Sequence, residues 1–273
     1  MDATLYIREQ LGFSEKNIKN TLQLLQEDCT IPFIARYRKD FTGNLDEVAI
    51  EKIAQTNESF LQIQKRKESI LASIAEQNAL TAELKNKIEQ SYDLAEIEDL
   101  YLPYKKKRKT RADKAKDHGL EPLAKIIMAQ NATDIQHAAK KFVNQNVATT
   151  TDALQGARDI IAEWINENAF FRQVFRKRFR KEAVLTAKVI SSKKDNPDAQ
   201  KYAQYFDWQE PLSKMPAHRL LAVLRAHQEG FVRISAQIDT DDAIDWICHK
   251  HIKNSAIETA EQIRLATADA YKR

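Results

Sequence analysis

Apolar residues recur at every third or fourth position through most of the chain, which is the period of an amphipathic α-helix. The pattern is clear at residues 15–26 and again at 45–77, where leucine and isoleucine fill most of the apolar positions. Glycine and proline, which interrupt helices, number only 5 and 6 among 273 residues. The pattern therefore predicts an all-α protein, a scaffold of many helices joined by short turns.

Residues 231–238, FVRISAQI, alternate apolar and polar side chains, which is the period of a β-strand. No partner strand is evident in the sequence, which points to pairing with a segment outside the chain. A long helical pattern is predicted from about 152 to 190. We therefore expect at most one or two short strands.

A pair of closely connected helices is predicted in the first half of the chain. One begins at Thr81 and the next at about Leu94, with a short turn around Tyr92 and Asp93. Two helices joined by about three residues have the form of a helix-turn-helix. Pro103 ends the second helix, and a run of basic residues follows it.

The charge of the chain is unevenly distributed. Its formal net charge is +4, but residues 101–120 carry +6 and residues 171–194 carry +8, so the remainder sums to −10. Two basic islands on an acidic remainder indicate an anionic partner better than the overall charge does. The only cysteines, Cys29 and Cys248, are far apart, and no apolar run reaches the length of a membrane span. We therefore expect a cytoplasmic protein that does not enter a membrane.

The first basic island, KKKRKTRADKAK at residues 105–116, holds eight basic residues in twelve. Such a density can neutralise several phosphates, although a solvated loop is the alternative. Tyr101 and Tyr104 precede the island and could stack on bases, but tyrosines in such positions more often anchor a loop to the core. The candidate phosphate-binding residues are Lys105, Lys106, Lys107, Arg108, Lys109 and Arg111.

The second basic island, FFRQVFRKRFRKEA at residues 170–183, has a four-residue repeat. Phe171, Phe175 and Phe179 form an aromatic stripe, which at helical spacing is usually part of a core. The cations beside the stripe form a ridge that could contact phosphates or could be a salt-bridged helix face, and both interpretations remain open. These cations are Arg172, Arg176 and Arg180.

The stretch TIPFIARYRKDFTGNLDE, residues 30–47, begins with a short helix that Gly43 stops. Ile31, Phe33, Ile34 and Tyr37 are expected to anchor this helix in the scaffold. The cations at its edge could pair with acidic residues or face a partner. These cations are Arg36, Arg38 and Lys39.

No motif indicates catalysis or a cofactor. Cys248, His249 and His251 lie close together, but a zinc site would need further ligands that the sequence does not supply. Phosphate-binding loops, nucleophile elbows and carboxylate clusters with an associated histidine do not occur. We therefore expect a non-enzymatic protein without a metal or cofactor.

Three segments together resemble the amino-terminal part of the Tex family of bacterial transcription accessory proteins, which is related to a eukaryotic transcription elongation factor. They are TIPFIARYRKDFTGNLDE, EIEDLYLPYKKKRKTRADKAKDHGLEPLA and MPAHRLLAVLRAHQEG, in family order. The sequence departs from the family pattern at Lys106, where proline is common, and at Ala226-His227, where Gly-Glu is common.

The resemblance implies an elongated helical scaffold that contains a helix-turn-helix and binds nucleic acid. It also implies that a ribonuclease-H-like domain, helix-hairpin-helix motifs and an S1 RNA-binding domain follow, so the chain is expected to be a fragment. We distinguish residues 1–195, with the helix-turn-helix within about 45–125, from residues 196–273, which continue the scaffold toward those domains.

The leading hypothesis is a scaffold that binds DNA or RNA without strong sequence preference and takes part in transcription. The alternative is a module whose helices dock other domains or a protein partner and do not touch nucleic acid.

Overall fold

A computed structural model describes residues 2–105, 108–131, 134–253 and 258–273. The chain divides into two compact units, residues 1–105 and 106–273. The boundary predicted near residue 195 falls inside the second unit, because strands on its two sides pair with one another.

The first unit is built from helices, several of which begin at a side-chain cap. Asp2, Ser14 and Asp46 each accept a hydrogen bond from a backbone N–H three residues further on, which satisfies a donor that the first turn leaves free. The helices are α1 (Ala3–Leu11), α2 (Glu15–Gln26), α3 (Ile31–Tyr37), α4 (Lys39–Thr42), α5 (Glu47–Glu76), α6 (Ala82–Gln90) and α7 (Leu94–Tyr101).

Helix α5, with 30 residues, connects two hydrophobic clusters of the first unit. Its first half packs with α1, α2 and α3 around the fully buried Ile7, Ile18 and Ile34. Its second half packs with α6 and α7 around Ile88 and Ile97. The three residues between α6 and α7 match the predicted short connection.

The second unit combines helices with one small sheet. Its helices are α8 (Arg111–Asp117), α9 (Glu121–Ala129), α10 (Ile135–Lys140), α11 (Thr150–Asn166), α12 (Ala169–Glu182), α13 (Ala217–Gln228), α14 (Thr240–His251) and α15 (Glu258–Lys272). Its strands are β1 (Val184–Val189), β2 (Asp207–Pro211) and β3 (Val232–Gln237).

The strands form an antiparallel sheet in the order β2-β1-β3. Val184 of β1 lies opposite Pro211 of β2 and Gln237 of β3. The expectation that the strand near 231–238 lacks a partner in the chain is therefore wrong. The prediction of one long helix from 152 to 190 is also wrong, because Asn168 caps a separate helix and the sequence VLTAKV after Glu182 forms β1.

Helix α11 lies at the centre of the main core of the second unit. Ile160 and Ile161 are fully buried, and α11 packs against α8, α9 and α15. Gly156 permits the close approach, since a Cβ there would lie 2.3 Å from Leu120 Cδ1. The all-α class is confirmed, with a small sheet as its only addition among the described residues. Within the same ranges, every helix is too short or too polar to span a bilayer.

Candidate nucleic-acid interface

The first basic island straddles the division between the units. Lys105 is exposed at the end of the first unit and Arg108 is exposed in the second, while Lys106 and Lys107 lie outside the described residues. Tyr101 is anchored in the first unit by a 3.1 Å hydrogen bond between its hydroxyl and Ser73 Oγ. Tyr104 packs on the same hydrophobic cluster. The interpretation of both tyrosines as anchors is confirmed.

Three cations of this island already have carboxylate partners, and one of them is Lys116, whose Nζ lies 2.8 Å from Glu163 Oε2. Lys109 Nζ lies 2.8 Å from Asp117 Oδ2, and this hydrogen bond raises the pKa of the lysine. The Arg111 guanidinium lies 3.1 Å from Asp269 and 3.5 Å from Asp159, and so links α8 to α15 and α11. Of the island's described cations, Lys105, Arg108 and Lys114 form no ion pair with another described residue.

The aromatic stripe of α12 belongs to the core, as predicted. Phe171 is only 5% exposed, and its ring meets Trp246 edge-on with centroids 5.8 Å apart. Phe175 is partly buried and meets Trp246 and Tyr271 in the same way. Phe179 packs on a smaller cluster that includes Ala243. Helices α14 and α15 therefore cover the stripe.

The cations of α12 divide into paired and exposed groups. Arg178, which sequence reasoning did not single out, pairs with Glu182 and Asp242, and the hydrogen bond to Asp242 is the main cause of its raised pKa. Arg172 donates to Asn166 Oδ1 over 3.2 Å. Arg180 is exposed and makes no ion pair with a described residue. Lys177 and Lys181 are exposed on the same helix.

A groove of about 630 Å³ lies along α12. The three stripe phenylalanines and Ile247 give it an apolar wall. Arg172, Arg176 and Arg273 also line it. The groove thus combines an apolar wall with guanidinium groups, a combination that suits an anion with an apolar part.

Helices α3 and α4 present a surface that the sequence interpretation missed. Ile34 is fully buried and Ile31 partly so, but Phe33 is 37% and Tyr37 68% exposed, so the expectation that these two rings anchor the helix is wrong. A helix of two turns buries one side, and positions 33 and 37 lie together on the other. Phe41, on α4, is also exposed.

None of the cations of this surface has a counterion among the residues that the structure describes. Arg36, Arg38 and Lys39 are exposed, and none forms an ion pair with a described residue. The Arg38 guanidinium lies over the Phe33 ring, 5.5 Å from its centroid. Of the two interpretations considered for these cations, pairing with the acidic residues of the described chain is therefore wrong.

The cluster of Cys248, His249 and His251 is not assembled for metal binding. Cys248 is buried and His251 is partly buried, and burial raises the pKa of the thiol and lowers that of the imidazole. The His251 ring packs edge-on against Phe171, with centroids 5.1 Å apart. Within the described ranges, no three histidine, cysteine, aspartate or glutamate residues are grouped to hold a metal ion.

These observations define a helical scaffold with exposed cationic and aromatic surfaces. Comparison with known proteins places it more specifically. A model of the Tex central region matches residues 130–272, and a model of the Tex-like protein N-terminal domain matches residues 1–75. The chain belongs to the Tex-like family.

Individual relatives agree with this assignment. The transcriptional accessory protein Tex of Neisseria gonorrhoeae is 37% identical over 89% of the chain and 32% of its own length. YdcI of Bacillus subtilis is 37% identical over 98% of the chain and 37% of its own length. The human S1 RNA-binding domain-containing protein 1 is 26% identical over 86% of the chain and 24% of its length. The chain thus spans about a third of the bacterial relatives.

Proposed function

We propose that the chain is a non-enzymatic nucleic-acid-binding scaffold of the transcription machinery, which contacts the phosphate backbone of DNA or RNA through basic helix edges. The observation that carries this proposal is the charge of α12. The helix holds six lysines and arginines but a single carboxylate, Glu182, which Arg178 already engages. The names of two relatives, a transcriptional accessory protein and an S1 RNA-binding domain-containing protein, support the same function.

The geometry of α12 suits a phosphate backbone. Arg172, Arg176 and Arg180 follow one another at four-residue intervals, and each interval advances about 6 Å along a helix. Phosphate contacts position a protein but carry no base code, so binding should be similar on unrelated sequences. A phosphate on Arg172 would add to its bond with Asn166, whereas Arg180 is accessible as it stands.

The first island makes a second contribution to the proposal. Lys105 and Arg108 are exposed, and Lys106 and Lys107 belong to the same basic run. Lys109 and Arg111 are weaker candidates, because a phosphate would compete with Asp117 for the one and with Asp159 and Asp269 for the other. The nearby pair α6–α7 is proposed to act as a helix-turn-helix.

A salt titration with matched variants tests the proposal. Each cation that engages a phosphate should contribute about 0.9 to the slope of log affinity against log salt on duplex DNA. Arg176→Gln with Arg180→Gln should weaken binding and flatten this slope on two unrelated duplexes. Lys201→Gln is the control, since it removes a cation that Glu229 already pairs, also in the second unit. An unchanged affinity and slope in the folded double variant would contradict the contribution of α12.

The first island is tested in the same assay. Arg108→Gln should lower the slope by less than the α12 double variant, because it removes one cation. If neither variant changes binding, the two basic islands are not the contact surface; if the wild-type chain binds no nucleic acid, a docking module is the better account. One observation favours that second candidate: Leu221 and Leu224 of α13 are 66% and 41% exposed, an apolar surface suited to contact with another domain.

A further inference from the structure

Exposed aromatic rings are concentrated in one short segment of the chain. Among the described residues only four aromatic side chains are exposed, and three of them, Phe33, Tyr37 and Phe41, fall within nine consecutive positions. We propose that these rings form a platform on which the bases of single-stranded nucleic acid stack, with Arg36, Arg38 and Lys39 holding the phosphates. The proposal deepens the proposed function and rests on it, since it adds a second surface and names the class of nucleic acid.

Two of the three rings already lie against each other. The centroids of Phe33 and Tyr37 lie 5.3 Å apart with their planes tilted by 39°. The Arg38 guanidinium covers Phe33, whereas Tyr37 is the most exposed of the three rings. Bases stack on aromatic rings and on guanidinium planes, and such stacking tolerates any base because every base has a π-face.

The backbone that carries the rings is firmly held. Ile34 and Ala35 are buried and fix α3 against α5. The side-chain amide of Asn20 on α2 donates to the Phe41 carbonyl over 2.5 Å. Gly43 ends α4 so close to α2 that a Cβ there would lie 2.4 Å from the Asn17 side chain. A rigid support reduces the entropy lost when a flexible strand binds.

The charges of this segment favour a nucleic acid over an apolar protein surface as its partner. Three cations and one anion, Asp40, interleave with the rings, and none of the cations has an ion pair with a described residue. Covering them with an apolar partner would desolvate unpaired charges, which is costly. Phosphates would compensate these charges. In a duplex the faces of the bases are covered by their neighbours, so the platform should favour single strands.

Three substitutions at one position test the stacking itself. Binding of the 273-residue chain to a labelled thymidine oligonucleotide is measured by fluorescence anisotropy. Tyr37→Leu keeps apolar area but removes the ring, and should weaken binding about 5- to 100-fold. Tyr37→Phe and Tyr37→Trp keep a ring and should bind within about twofold of wild type or better. Phe33→Leu, at an independent position, should also weaken binding. Helix content by circular dichroism verifies that each variant is folded.

A strand of abasic deoxyribose phosphates separates stacking from phosphate contact. Tyr37→Leu should bind it as wild type does, whereas Arg36→Gln with Lys39→Gln should weaken binding to both strands. The platform proposal is contradicted if Tyr37→Leu binds the thymidine strand like wild type. It is also contradicted if Tyr37→Phe loses as much affinity as Tyr37→Leu, or if Tyr37→Leu loses as much affinity for the abasic strand as for the thymidine strand. In the first case, retained salt-dependent binding of duplex DNA would leave the proposed function standing. A wild-type chain that binds none of these probes would overturn both.

Discussion

Helix α12 and the α3–α4 segment share one sequence pattern and have opposite environments. Both place aromatic residues every four positions, at 171, 175 and 179 and at 33, 37 and 41, with arginines beside them. In α12 the rings are covered by Trp246 and Tyr271. In α3 and α4 all three rings are exposed to solvent. An aromatic repeat thus predicts that side chains share a helix face, but not whether another element covers that face.

The cations follow this division only in part. In α12, Arg178 is 18% exposed and bound to two carboxylates. In the α3–α4 segment every cation is exposed and lacks an ion pair within the described chain. The ion pairs of Arg178 stabilise a fold, whereas exposed cations without an ion pair, in the α3–α4 segment and at Arg180 of α12, are available to a ligand. Because the tryptophans, Trp164, Trp208 and Trp246, all belong to the second unit, their fluorescence reports its unfolding, while circular dichroism reports both units.

The largest expected effect is the loss of a covered ring. Phe171→Ala should lower the free energy of unfolding by about 3–5 kcal/mol, because the side chain is almost fully buried and a cavity remains. The matched change Phe33→Ala should cost less than about 2 kcal/mol, since more than a third of that side chain is exposed. Urea unfolding followed by tryptophan fluorescence and by circular dichroism measures the two. Equal losses of stability in the two variants would contradict the conclusion that Phe171 is covered by other elements and Phe33 is not.

A smaller effect is expected from the paired arginine. Arg178→Gln should lower stability by about 1 kcal/mol, because two charge-assisted hydrogen bonds are lost but both carboxylates remain partly in water. Arg36→Gln, which removes an exposed cation without an ion pair in the described chain, should change stability by less than about 0.5 kcal/mol. The urea midpoint of each variant provides the measurement. A destabilising Arg36→Gln would show that this cation has a structural role after all.

Burial in the α12 region also predicts a pH dependence. His251 packs against Phe171, and burial lowers the pKa of its imidazole below the ordinary value of about 6.5. The unfolded chain therefore takes up this proton first, so stability should fall as pH falls through about 6.5 and be unaffected by His251 above about 7.5. The effect should be less than about 1 kcal/mol between pH 7 and 6, since a proton contributes at most about 1.4 kcal/mol per pH unit.

The urea midpoint, followed by tryptophan fluorescence at several pH values, measures this dependence. His251→Gln should reduce the loss between pH 7.5 and 5.5, a range above the titration of ordinary carboxylates. His249→Gln is the control, because that side chain is exposed on the same helix. An equal loss of stability in both variants would mean that other groups cause the pH dependence.

The local parts of the fold could be predicted from the sequence, and the non-local parts could not. The periodicity indicates α2 and α5 because helical hydrogen bonds join residues four apart. It does not indicate β1, because VLTAKV follows α12 without a glycine or proline and becomes a strand only through pairing with residues 207–211 and 232–237. The sequence pattern does not reveal the partner of β3, because strand pairing depends on tertiary structure.

The candidate site follows the same rule. That α12 is basic is visible in the sequence, but the partners of individual cations are not: Arg111 meets Asp269, which lies 158 positions away. The exposure of Tyr37 had a signal in the sequence. Ile31, Ile34 and Ala35 fill one side of a seven-residue helix, so residues 33 and 37 must share the other. Interpreting every apolar residue of the segment as an anchor overlooked this division.

The smallest expected effect on stability is at the most exposed ring. Tyr37→Ala should change the free energy of unfolding by less than about 0.5 kcal/mol, because the side chain is 68% exposed and α3 is held by Ile34 and Ala35. Alanine also favours the helix, which offsets part of the lost contact with Phe33. Circular dichroism during urea unfolding would detect a larger loss, and a loss above about 1.5 kcal/mol would mean that Tyr37 is covered in solution. A near-neutral result would leave Tyr37 as an exposed aromatic residue without a role in folding, which is the condition under which a ligand-binding role is worth testing.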